Sequence, residues 1–280
     1  MDRDLTAQEF QRYHDLIYKI AGIHYPKEKL ELLSNRIRRR IRSIRADSYD
    51  AYLSTIQAPG SKELQAFLDS ITTNETYFFR CQRHWDFFKD WTKTQLADPA
   101  RKGQGMRLWS AAASNGSEAC TMLIVLHQLF GDGLGGVPID IVGTDLNAKV
   151  VEEARAARFR PYALTQMRAE DVSRYFDADA SKEQFTFDRQ LLKHARFETH
   201  NLMQPLPARE PFDAVFVRNV MIYFDKASRE KVLDHIYRIL RPGGLLVVGE
   251  SESLLNVKHK FDYLKPSIFV RPESPVGAPT

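Results

Sequence analysis

The 280-residue sequence holds only two cysteines, Cys81 and Cys120, and no CxxC pair. A disulfide-stapled scaffold is thereby excluded; two reduced thiols are expected, with a disulfide as the lesser alternative. No run of about 18 apolar residues occurs, so no segment is expected to enter a bilayer. The opening residues, MDRDLTAQEF, are too polar for a secretory signal, and a cytoplasmic location follows as the expectation. The eight histidines form no HxxxH or HExxH pair, which argues against a zinc site. A GxSxG elbow is missing too, which argues against a serine hydrolase. The net charge of +4 excludes little, but its distribution does more. Between Leu33 and Arg45 lie Arg36, Arg38, Arg39, Arg40, Arg42 and Arg45 with no acidic residue among them. Such a block attracts an anionic surface (nucleic acid, lipid or an acidic protein helix), or is simply a solvated face.

Helical periodicity dominates the first quarter of the chain. Thr6-Ala7-Gln8-Glu9 has capping-box spacing, and Phe10, Tyr13, Ile17 and Ile20 then recur every three or four residues until Gly22. Leu30, Leu33, Ile37, Ile41 and Ile44 form a second apolar stripe with the arginines between them. Tyr52, Leu53 and Ile56 predict a third helix, and Leu64, Phe67, Leu68 and Ile71 a fourth. Aromatics crowd residues 77–91, where packing is their ordinary role, and 97–105 reads as a polar loop. From Met106 the pattern becomes strand–helix alternation. Strands are expected at 107–111, 139–145, 212–217 and 245–248, with a helix at 228–240 closed by Pro242-Gly243-Gly244. The fold class is therefore α/β, a doubly wound and mainly parallel sheet behind a small all-α N-terminal domain. Phe185–Phe187 and Ala195–Glu198 interrupt the alternation and read as short antiparallel strands of an inserted β-subdomain.

Ligands of such sheets bind outside the carboxyl ends of the strands. The first strand runs into Ser110-Ala111-Ala112-Ala113-Ser114-Asn115-Gly116-Ser117-Glu118, where small residues let a ligand approach the backbone. A plain tight turn fits that stretch equally well. The turn lacks the GxGxxG of dinucleotide sites and the lysine of a P-loop. Asp145, at the end of the second strand, is placed either to accept both hydroxyls of a ribose or to cap the next helix. A ribose without pyrophosphate recognition suggests adenosylmethionine rather than NAD. Methyl transfer also suits the missing hydrolytic motifs, because the cofactor carries its own leaving group.

Several segments resemble the CheR family of chemotaxis receptor methyltransferases. They are Thr72-Thr73-Asn74-Glu75-Thr76-Tyr77-Phe78-Phe79-Arg80, the Trp109–Glu118 turn, Gly143-Thr144-Asp145-Leu146-Asn147, Phe216 through Asp225 (FVRNVMIYFD), and Gly249 through Leu254 (GESESL). They run in the family's order over nearly the whole chain. The resemblance implies a Rossmann-like methyltransferase that moves a methyl from S-adenosyl-L-methionine to glutamate carboxylates of chemoreceptors, leaving S-adenosyl-L-homocysteine. It implies a helical domain at 1–72, a connecting segment at 73–105, a methyltransferase domain at 106–274 with the β-subdomain at about 165–200, and a tail at 275–280. Matched by motif, Asn74, Thr76 and Arg80 would reach the cofactor from the connecting segment. Glu118 would bind the methionine ammonium and Asp145 the ribose. Asn201-Leu202 would flank the adenine, and Arg218-Asn219 would close the pocket. Arg80 and Tyr223 are the implied reacting-centre residues.

The six arginines of 36–45 would dock the receptor's acidic methylation helices, and no nucleic-acid partner is expected. A receptor's C-terminal peptide on the β-subdomain is the other implied partner, yet the loop at 177–184 lacks the glycines of members that hold one. The chain also departs from the family where GEEPYS usually stands, reading Gly116-Ser117-Glu118-Ala119-Cys120-Thr121, and it has Glu250 in place of a usual histidine. Two other readings stand beside this one: a methyltransferase for another acceptor such as RNA, and a non-catalytic regulator that binds adenosylmethionine.

Overall fold

In the computed structural model, which describes residues 3–208 and 210–273, four helices open the chain. Helix α1 (Ala7–Ala21) begins on the predicted capping box: the Glu9 N–H donates to the Thr6 hydroxyl, and the Thr6 N–H donates to the Glu9 carboxylate. It ends at Gly22, whose φ of 67° is the left-handed conformation that glycine adopts without strain. Helices α2 (Leu30–Ile44), α3 (Tyr49–Gln57) and α4 (Glu63–Ile71) follow. Their apolar stripes close on α1 in a separate core that includes Tyr13, Ile17, Leu33, Ile37, Tyr52 and Phe67. Each such burial contributes about 1.5–3 kcal/mol, which is what lets short helices persist.

Within the connecting segment lie α5 (Gln82–Gln95) and α6 (Pro99–Gln104). The second lies where the sequence reads as loop. It forms because Asp98 accepts the Ala100 N–H and Pro99 occupies the first helical position. The remaining elements are β1 (Met106–Ala111), α7 (Ser117–Phe130), β2 (Ile139–Asp145), α8 (Ala148–Ala156), β3 (Arg158–Phe159), α9 (Ala169–Tyr175), β4 (Phe176–Ala178), β5 (Phe185–Phe187), α10 (Arg189–Leu192), β6 (Ala195–Thr199), β7 (Phe212–Val217), α11 (Lys226–Ile239), β8 (Leu240–Val248), β9 (Asp262–Lys265) and β10 (Ile268–Val270). The large sheet has the order β6-β2-β1-β7-β8-β10-β9. Its first five strands are parallel, β10 pairs antiparallel with β8, and β9 pairs antiparallel with β10.

Both faces of this sheet are covered, as a parallel sheet requires. Alternation along β1 and β7 sends Leu108, Ala214 and Phe216 to a core shared with α5 and α7. Trp109, Val215 and Val217 go to the opposite core beneath α11.

The β-subdomain differs from its sequence reading. Phe185–Phe187 is the central strand of a three-stranded antiparallel sheet, but its partners are β3 and β4. The segment Ala195–Thr199 instead joins the main sheet, parallel to β2. Contact decides this: a Cβ on Gly143 would lie 2.5 Å from the Phe197 ring, so the glycine makes room for the neighbouring strand's aromatic. The small sheet is held by Phe78, Phe159, Phe176 and Phe187, with Phe78 meeting Phe159 and Phe176 edge-on at 4.8 and 5.1 Å between centroids. Strand β8 also starts earlier than expected and takes in Pro242-Gly243-Gly244, and the 275–280 tail lies outside the described residues.

Candidate active site

Strand order reverses direction at β1 and β7, and the crevice predicted for such a switch point is present. It is an open cleft at the carboxyl ends of β1, β2 and β7, with about 1190 Å³ of empty space when the solvent at its mouth is counted. The four-helix unit forms one wall through Ile23, His24, Tyr25, Lys29 and Arg36, and residues 72–77 with Arg80 form another. Left-handed backbone concentrates around the cleft: Phe79, Cys81, Ala112, Ser114 and Asn219 all have φ between 51° and 68°. Conformations of that kind cost of order 1–3 kcal/mol each and persist only where surrounding structure enforces them.

Asp145 ends β2 and is 7% exposed. One oxygen accepts the Asn147 N–H at 2.9 Å and the other the Ser114 N–H at 2.9 Å. Burial raises its pKa, and the backbone N–H groups of Asn147 and Ser114 oppose that shift. It is not the cap of α8. That role falls to Asn147, whose Oδ1 accepts the Lys149 and Val150 N–H groups while its Nδ2 donates to the Thr72 hydroxyl. Asp69 of α4 accepts the free Ala148 N–H at 2.8 Å, fastening the helical unit to the start of α8. Ser114 in turn donates its hydroxyl to the Asn74 carbonyl at 2.9 Å, so the connecting segment is tied to the β1 turn.

Glu118 stands in the first turn of α7, where a carboxylate suits the helix dipole. It accepts the Ser110 hydroxyl at 2.7 Å and pairs with Arg218 at 2.9 Å. Arg218 follows β7 and also donates to the Arg80 carbonyl. The Arg80 side chain donates to the Glu75 carbonyl at 3.0 Å and lies 5.6 Å from the Tyr77 ring centre. Tyr223 lies on the loop after β7; its carbonyl accepts the His24 N–H at 2.8 Å, and the Lys29 ammonium is 5.9 Å from its ring centre. Asn201 donates to the Ile20 carbonyl at 2.6 Å, and Ile23 and Phe224 pair as an isolated β-bridge.

The cleft thus brings together Asn74, Thr76 and Arg80 with Glu118 and Asp145, and it gathers Asn201, Leu202, Arg218, Asn219 and Tyr223 on the same walls. The arginine block divides. Arg36 faces the cleft and donates to the Tyr25 hydroxyl, the Ile71 carbonyl and the Thr73 hydroxyl. Arg38 pairs with Asp4 at 2.7 Å, and Arg40 grips both oxygens of Glu63 at 2.8 and 2.7 Å. Arg39, Arg42 and Arg45 are exposed.

Sequence reasoning gave no role to Ser114, Asn147, His200 or Glu252. Of these, Ser114 and His200 border the cleft. Glu252 lies inside the GESESL motif, so its presence was visible while its contacts were not.

Two carboxylates line the cleft, Asp145 at the end of β2 and Glu118 in the first turn of α7, an arrangement that suits a nucleoside carrying an α-amino acid. The donor set therefore fits S-adenosyl-L-methionine. Residues 74–270 match the family described as CheR methyltransferase, SAM binding domain, and residues 8–72 match CheR methyltransferase, all-alpha domain. The chain is 34% identical over 274 residues to a chemotaxis protein methyltransferase of Salmonella typhimurium, covering 95% of this chain and 90% of that one. It is 34% identical over 262 residues to that of Escherichia coli, covering 92% and 88%. Chemotaxis protein methyltransferase 2 of Pseudomonas aeruginosa is 33% identical over 261 residues, covering 91% and 89%. The sheet order, the cleft at its switch point and the matched domain define an S-adenosyl-L-methionine-dependent methyltransferase. With both of the family's domains present in order, the chain belongs to the CheR family and acts in chemotaxis.

Proposed function

We propose that the acceptors are glutamate side chains of methyl-accepting chemotaxis receptors, which become methyl esters in the cytoplasm. The observation that carries this reading is the shared cleft, where a guanidinium (Arg80) and a phenol (Tyr223) border the same space as Asp145 and Glu118. A glutamate acceptor is already ionised at neutral pH, so no general base is required of the protein. When bound, the cofactor's sulfonium supplies both the methyl group and the leaving group.

The chain's own residues then have to orient the acceptor and keep water out. Arg80 is held at one Nη by the Glu75 carbonyl. Its other N–H groups serve to align an incoming carboxylate, and a one-sided grip avoids over-stabilising the ground state. Tyr223 packs its aromatic face toward positive charge at the reacting centre. The exposed Arg39, Arg42 and Arg45 form the docking face for acidic methylation helices, while Arg36, Arg38 and Arg40 hold that helix in place. A receptor's C-terminal peptide on the small antiparallel sheet is a further contact within the same proposal.

The test is incubation of the protein with methyl-labelled S-adenosyl-L-methionine and membranes carrying chemoreceptors, followed by mild alkali. Labelled methanol released from receptor bands is the expected result. Intact binding of S-adenosyl-L-homocysteine with no base-labile label on any receptor would overturn the glutamate reading.

A further inference from the structure

Glu252 is 4% exposed, yet its carboxylate serves backbone groups of two separate loops. One oxygen accepts the Gly249 N–H at 2.6 Å and the Asn219 N–H at 2.9 Å. The other accepts the Ile222 N–H at 3.3 Å. Gly249 follows β8, whereas Asn219 and Ile222 belong to the loop that runs from β7 to Tyr223. The approach is close enough to constrain the sequence: a Cβ on Gly249 would meet the Glu252 oxygen at 2.6 Å and the Asn219 nitrogen at 2.9 Å. Asn219 itself is held at φ 60°, with Arg218 and Val220 of the cleft wall on either side. Three N–H donors converge on one acceptor-only group, which a carboxylate satisfies and an amide does not.

We infer that Glu252 is a positioning residue for methyl transfer, fixing the 219–223 loop so that Asn219 and Tyr223 face the reacting centre. This rests on the reading of Tyr223 as part of that centre. The nucleoside end of the site lies elsewhere, around Asp145 and Ser114. Cofactor affinity and turnover are therefore separable at position 252.

The experiment is Glu252→Gln in the full chain, a change that keeps the volume but turns an NH₂ toward one of the three N–H donors. Three quantities are read: hydrogen–deuterium exchange with and without S-adenosyl-L-homocysteine, affinity for that ligand by calorimetry, and methyl transfer to a receptor fragment. Exchange in peptides covering 218–224 and 249–253 should quicken by about tenfold or more, with little change elsewhere. Ligand affinity should fall by no more than about tenfold, because Asn219 is the one expected cofactor contact on this loop. Turnover should fall about 100-fold at a similar KM for receptor, the scale of a misplaced reacting group.

Glu252→Asp keeps the charge on a shorter arm and should recover part of the protection and turnover; it carries the same three readouts if the Gln protein does not fold. Unchanged exchange at 218–224 overturns the inference. So does a parallel loss of affinity and turnover with global destabilisation, which is what a purely structural residue would give. Should the wild type methylate no receptor, the glutamate reading fails, while the exchange measurement still judges the loop.

Discussion

Arg218 reaches across the top of the sheet to Glu118, Nη1 to Oε2 at 2.9 Å, with side chains only 4% and 11% exposed. The Arg218 guanidinium also lies 5.5 Å from the Trp85 ring centre. Removing one member of a buried pair leaves an uncompensated charge and costs about 3–5 kcal/mol, far more than the pair contributes as a unit. Glu118→Ala should therefore lower the unfolding free energy in urea by about 3 kcal/mol. Adding Arg218→Met to that variant should restore part of the loss. Strictly additive losses in the double-mutant cycle would show that the two residues are not coupled.

Asp145→Asn should weaken S-adenosyl-L-homocysteine binding by about 10–100-fold, the worth of hydrogen bonds to a charged acceptor. The wild-type carboxyl titrates above its ordinary range because it is buried. Affinity should accordingly fall as pH drops through that raised pKa, and the Asn variant should lack this limb. Titration calorimetry across the acid range reads both effects.

Arg80→Ala should lower turnover about 100-fold while leaving cofactor affinity within a few-fold, since its expected work is orientation of the acceptor. Steady-state kinetics with a receptor fragment, beside calorimetry with S-adenosyl-L-homocysteine, separate the two. An unchanged turnover counts against Arg80 at the reacting centre.

His84 is fully buried, neither ring nitrogen has a hydrogen-bond partner among the described residues, and burial followed by repulsion from Arg218 and Arg83 depresses its pKa to about 4. The unfolded chain takes up a proton near pH 6.5 that the folded chain refuses until about pH 4. Stability therefore declines as pH falls from 6.5 toward 4, by about 2 kcal/mol between pH 7 and pH 5. His84→Phe should flatten that decline in urea titrations at the two pH values.

Reversing Arg39 and Arg45 to glutamate should depress receptor methylation at low salt, with a smaller effect at high salt, and should leave Tm nearly unchanged. Arg40→Ala should behave in the opposite way. It breaks a two-oxygen grip on Glu63, which also accepts the Tyr52 hydroxyl at 2.7 Å, and should lower Tm. Equal methylation by the reversed protein at low salt would remove the docking proposal.

Local signals were legible in the sequence and partners distant along the chain were not. The Thr6–Glu9 box, the α2 stripe and the Asp145 position at the end of β2 each rest on a few consecutive residues. The place of β6 depends on Phe197 packing against Gly143, a contact no periodicity encodes. Likewise Arg36 reads as one more basic residue on a helix face until Tyr25, Ile71 and Thr73 close around it. Asp145 reads from sequence as a possible cap of the next helix, and only the hydrogen bonds of Asn147 assign the cap to that residue instead.

The turn after α1 makes the two folding units co-dependent. Gly22 sits where a Cβ would come within 2.3 Å of the Met203 sulfur, and beside it Ile23 bridges Phe224 and His24 binds the Tyr223 carbonyl. Grafting another relative's helical region onto this catalytic half, as one would to redirect receptor choice, must carry a glycine and a matched pair of neighbours at this seam. The portable part of the molecule is thus smaller than its domain boundary suggests: the corner at Gly22, Ile23 and His24 has to travel with the catalytic half.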